Sequence, residues 1–170
     1  MEFKLIGALL LVLGGGCVGM IISAVHRREI YFIRQLLSVI NFMECELQYN
    51  LTALPSLCRQ ASNVCSGALC NILNVFAGEL DHQICANAPA CMVAVVEKNS
   101  TLTPHARECI LQLGQSLGAF ELQGQLRSLE HTRKICNGKL NLLETDKEVR
   151  LRSYKTIGLC AGAALAILLI

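Results

Sequence analysis

The chain has 170 residues, 53% of them apolar and only 16% charged, with a mean hydropathy of +0.47. A net charge of +2 with acids and bases intermixed excludes a broad basic surface for nucleic acid, and scarce aromatics without tryptophan exclude base-stacking platforms. A soluble domain of this size carries more charge, so the hydrophobic excess has to be concentrated, and it sits at the two ends.

Leu5 to Val25 is a run of 21 residues whose only polar side chain is Ser23. At about 1.5 Å per residue it is long enough for a hydrocarbon core of about 30 Å, with Lys4 placed to snorkel at its edge. A cleaved signal peptide is the competing reading. Against it, the run is long and is followed by His26, Arg27 and Arg28 rather than a small-residue cleavage site. Gly14, Gly15, Gly16 and Gly19 form a smooth stripe that permits close helix approach, or reflect the frequency of glycine in membrane helices.

Residues 26–153 read as a helical domain. Ile30, Ile33, Leu36, Leu37, Ile40, Met43 and Leu47 recur at three- and four-residue spacing, one apolar face of a helix that can continue from the first apolar run. Asn50-Leu51-Thr52 breaks it, and Pro55 suits the first turn of a second helix reaching Asn63. Ser66-Gly67 precedes a third segment, Ala68 to Leu80. After Asn87–Pro89, the run Cys91–Glu97 contains three valines that favour a strand locally. A lone strand has no partner, so the run is expected to be helix. Thr103-Pro104 predicts a sharp start with Thr103 as N-cap, and Leu117-Gly118 predicts a left-handed stop. From Glu121 to Lys155, Leu122, Leu126, Leu129, Cys136, Leu140 and Leu143 alternate four and three apart, Arg133 being the exception. That seam suits left-handed packing within the chain, or self-association, on a helix of about 50 Å.

Residues 154–170 end in Ile157–Ile170, 14 apolar residues, short for a full crossing unless Tyr154 and Lys155 extend it. Arg27, Arg28 and Arg34 follow the first apolar run; Lys147, Arg150, Arg152 and Lys155 precede the second. By the positive-inside rule the middle of the chain is cytosolic. The fold class is therefore all-α, an antiparallel helical bundle flanked by N- and C-terminal transmembrane helices.

Ten cysteines are irregularly spaced, with no CxxC pair and no metal-ligand clustering. Most sit at apolar helical positions as small hydrophobes, and unpaired thiols suit a reducing compartment. A thiol-redox or metal role is the alternative. No phosphate-binding glycine loop, zinc-protease motif or nucleophile elbow is present, so no catalytic, cofactor or metal residues are assigned. The four histidines are isolated. His26 belongs with the basic flank, and the others read as solvated. Glu44 and Glu46 border the Met43–Leu47 stripe as solvated or ion-paired acids, partner contact being the alternative. With Arg127 and Glu130 they are the candidate partner-contact residues.

The stretches KLIGALLLVLGGGCVG (Lys4–Gly19), LLSVINFMECELQYNLTALP (Leu36–Pro55), LGQSLGAFELQGQLRSLE (Leu113–Glu130) and RLRSYKTIGLCAGAALAILLI (Arg150–Ile170), in this order and spacing, resemble the stage III sporulation protein AB family over essentially the full length. Phe120, where members usually carry an acid, and the many cysteines are departures. The resemblance implies a non-enzymatic platform subunit of the channel complex between mother cell and forespore, in the outer forespore membrane on the mother-cell side. It also implies a bundle similar to the F domain of the type II secretion inner-membrane platform. The implied partners are a cytosolic secretion-type ATPase, the AA protein of the same complex, together with other membrane subunits and lipid. A platform-like component of a type II secretion or type IV pilus system is the nearest alternative, although such platforms carry two copies of the domain and this chain has room for one.

Overall fold

The computed structural model describes the backbone of residues 2–50, 52–82, 87–99, 101–118 and 121–169, and side chains from 26 to 145 within those ranges. The described residues form six helices and no strand: α1 (Glu2–Tyr49), α2 (Leu54–Ser62), α3 (Ala68–Asp81), α4 (Ala88–Glu97), α5 (Pro104–Ser116) and α6 (Leu122–Leu169). Two compact units result, Glu29–Leu140 and the pair of helix ends Met1–Arg28 with Asn141–Ile170. The second unit consists of the outer ends of α1 and α6.

Within Glu29–Leu140, short breaks set each helix. Pro55 lies in the first turn of α2, where its missing N–H would have had no partner. Gly67 precedes α3 with φ +65°, a conformation that disfavours a Cβ. The valine-rich run is helical, as expected. Asn87 supplies the reason, its Oδ1 accepting from the Ala90 backbone N–H at 2.9 Å as Pro89 fills the first turn of α4. Gly118, with φ +75°, follows α5 where the sequence placed a left-handed stop.

Thr103 differs from expectation. It precedes α5 and its carbonyl accepts from Arg107 N–H at 2.9 Å, but its hydroxyl makes no cap bond and is buried without a hydrogen-bond partner. Pro104 and the backbone carbonyl therefore start this helix.

The core gathers Ile33, Leu36, Ile40 and Met43 from α1 with Leu57, Leu69, Leu73, Phe76, Met92, Ile110 and Leu113, all fully shielded from water. On α1 the buried stripe takes Val39, while Leu37 is half-buried. On α6 it takes Leu129, Thr132, Cys136 and Leu143, so Thr132 fills the place that the four-three count gave to Arg133.

Two pairs of neighbours run antiparallel. Ser62 meets Asn74 (2.9 Å) and the earlier Arg59 meets the later Asp81, so α2 and α3 form an antiparallel hairpin. Likewise Ser116 lies 2.6 Å from Thr132, while the earlier Glu108 lies 2.8 Å from the later Lys139, pairing α5 with α6. At the α4–α5 crossing the helices touch closely. A Cβ on Gly114 would stand 2.5 Å from the Met92 Cβ, so only glycine fits. Among the described residues no helix is long and apolar enough to cross a membrane. The two expected anchors, within residues 1–25 and 154–170, lie outside the residues whose side chains are described.

Candidate interaction surface

Several polar side chains of Glu29–Leu140 join neighbouring helices. Arg133, displaced from the buried seam of α6 by Thr132, reaches α1, with its guanidinium 3.5 Å from Glu44 Oε2 and 3.5 Å from Asn41 Oδ1. Burial raises the Glu44 carboxyl above the usual carboxylate range. Arg133 opposes this, and the neighbouring charge of Glu130 adds to it. Glu44 Oε1 is buried without a hydrogen-bond partner, so this acid is only half compensated.

Of the four candidate partner-contact residues, Glu44 and Glu130 are thus brought together around Arg133. Glu130 itself pairs with Lys134 one turn on at 2.9 Å, which lowers its pKa through the hydrogen bond and then the charge. Glu46 turns to its own chain. It accepts from Asn50 Nδ2 at 3.0 Å and Thr52 Oγ1 at 3.2 Å, holding the end of α1 against the link to α2. Arg127 is exposed on α6. Arg27 and Arg28 are exposed at the junction of the two units' residues on α1, while Arg150, Arg152 and Lys155 lie outside the described side chains.

Sequence reasoning missed a shielded acid between α3 and α4. Glu79 is buried and receives Lys98 Nζ at 2.8 Å on one oxygen and the Cys91 thiol at 3.4 Å on the other. The Lys98 hydrogen bond holds its pKa below the usual range despite burial. It also missed Glu108–Lys139, which raises the Lys139 pKa chiefly by that hydrogen bond. Both contacts join helices whose register is invisible in a single sequence. The one available signal was an acid on the otherwise apolar face of Ile72, Leu73, Phe76 and Ala77.

Cys58, Cys91, Cys109 and Cys136 are buried, Cys65 and Cys70 half-buried and Cys45 exposed, all as free thiols. Burial pushes the Cys58 thiol up to about 12 and the Cys65 thiol up to about 11. Cys136 is raised by its hydrogen bond with Cys109 and by burial. The raised thiols Cys58, Cys65 and Cys136 stay protonated at neutral pH and are poor nucleophiles and metal ligands, whereas the hydrogen bond with Cys136 lowers the Cys109 pKa. Among the described residues, no three His, Cys, Asp or Glu side chains converge where a metal ion could be held. Cys17, Cys85 and Cys160 lie outside the described side chains.

Fold and surface together define an all-helical bundle protein in which a few ion pairs and hydrogen bonds join neighbouring helices. The chain belongs to the stage III sporulation protein AB family, whose profile matches residues 4–170, which makes it a sporulation protein. A solved structure described as stage III sporulation protein AB shares the fold, with a TM-score of 0.63 and 20% identity, covering 72% of this chain and 98% of that one. No curated protein matches the chain.

Proposed function

We propose that the chain is a non-enzymatic platform subunit of the sporulation channel complex between mother cell and forespore, held in the membrane by Leu5–Val25 and Ile157–Ile170. In this reading the bundle is cytosolic, resembles the type II secretion F domain, and couples a secretion-type ATPase, the AA protein, to the membrane assembly. The observation that carries the proposal is the family match over 4–170 joined to helix continuity. The chain leaves the bundle along α1 and α6, each 48 residues long, and each runs unbroken into a terminal apolar segment. A continuous helix with no proline and no adjacent glycine or serine pair, as in α6, resists sharp bending and so transmits displacement of the bundle. The raised thiols of Cys58, Cys65 and Cys136 disfavour the thiol-redox or metal alternative at those positions.

The test is retention of the purified ATPase by the full chain in detergent. Retention is expected, and it is expected to weaken when the exposed Arg127 is reversed (Arg127→Glu). Absence of retention across detergents and nucleotide states sinks the coupling role.

A further inference from the structure

The first turns of α1 whose side chains are described present two unlike faces. Ile30 (7% exposed) and Ile33 (fully shielded) enter the bundle core, and Glu29 is buried with them. Arg27, Arg28 and Tyr31 are exposed, the tyrosine at 60%. Between His26 and Arg34 the sequence has no carboxylate other than the buried Glu29, and the exposed residues there, Arg27, Arg28, Tyr31 and Arg34, are basic or aromatic. Tyr31 stands six residues beyond Val25, about 9 Å of helix. The polar layer on each side of the hydrocarbon core is about 5–8 Å deep. A helical side chain leans back toward its own N-terminus, which brings the phenol toward that depth.

We propose that Arg27, Arg28 and Tyr31, neighbours on one continuous stretch of α1, form a docking face for anionic lipid headgroups. The inference rests on the reading of Leu5–Val25 as membrane-embedded. Charge complementarity selects the occupant: two guanidinium groups match lipid phosphates, and a tyrosine, apolar in body and polar at its tip, suits the interface. Each basic residue near an anionic surface contributes about 1 kcal/mol, roughly fivefold in preference.

Because the chain has no tryptophan, Tyr31→Trp makes a single-site reporter, and Tyr49→Trp, at a 77% exposed position on the far end of α1, makes its control. Both full-length variants are placed in nanodiscs of phosphatidylcholine and phosphatidylglycerol, with one or the other lipid brominated. The expected result is blue-shifted indole emission from the Tyr31→Trp reporter, quenched about fivefold or more in favour of brominated phosphatidylglycerol. That preference falls toward unity at high salt and when Arg27→Gln and Arg28→Gln are added, while emission from the Tyr49→Trp control stays water-like. Equal quenching of the reporter by the two lipids, or a reporter as wet as the control in a chain that has entered the discs, overturns the lipid-docking proposal alone. A chain that does not enter the discs overturns the membrane-embedded reading beneath it.

Discussion

Glu79 is well shielded from water, its side chain 10% exposed, whereas its partner Lys98 is 69% exposed. One oxygen is held by a lysine and the other by a thiol, so the ionised form is preferred in the folded chain and its pKa lies below the ordinary 4.5. The unfolded chain then binds the proton more readily than the folded one. The stabilisation is accordingly complete above pH 4.5 and is lost as pH falls through the folded value. Because Lys98 reaches solvent, screening limits the contribution to about 0.5–1 kcal/mol. Urea melts of the chain and of Glu79→Gln are expected to differ by that amount at pH 7 and to converge as pH falls below 4.5 through the lowered folded value. A gap that stays constant from pH 7 to pH 3 would show that the carboxylate charge contributes nothing.

At the scale of elements, the α4–α5 crossing depends on a missing side chain. A methyl group at Gly114 would overlap Met92 Cβ and Cγ at 2.5 and 2.6 Å, atoms close to the backbone that cannot swing away. Gly114→Ala is therefore expected to destabilise by about 1–3 kcal/mol, as overpacked cores do. Gly78, inside α3 with open space at its Cβ position, gives the opposite result. Gly78→Ala is expected to stabilise by about 0.5–1 kcal/mol, since helical glycine carries only an entropic cost. Thermal melts of both read out the contrast, and equal shifts in the two would refute the close crossing. Much of this architecture was legible beforehand. Pro55, Gly67, Pro104 and Gly118 act locally, so their breaks could be read from neighbouring residues. The choice between Leu37 and Val39, or between Thr132 and Arg133, depends on where a distant helix lies. Thr132 is buried because Ser116 is opposite it: Ser116 can donate to Thr132 at 2.6 Å while Thr132 donates to the Ser128 carbonyl at 3.0 Å. For the same reason Glu44 could be singled out as an acid bordering an apolar stripe, and Glu130 as a candidate contact residue, but their shared neighbour Arg133 could not.

For the whole molecule, α6 runs without a break from Leu122 to Leu169, and the division between the two compact units falls along it, at Leu140–Asn141. A platform that passes motion from bundle to membrane needs that stretch to stay stiff, whereas one that merely tethers the bundle does not. Proline separates the two, because inside a helix it removes one backbone hydrogen bond, clashes with the preceding turn and costs about 3 kcal/mol locally. Asn141 is exposed, so Asn141→Pro disturbs the helix without displacing a core side chain. The variant is expected to keep the bundle's thermal transition and its retention of the ATPase, and to lose sporulation. Asn141→Ala, which leaves the helix intact, is expected to behave as the unaltered chain. Normal sporulation with a kinked α6 would reduce the bundle to a tethered docking module and remove force transmission from the proposed role.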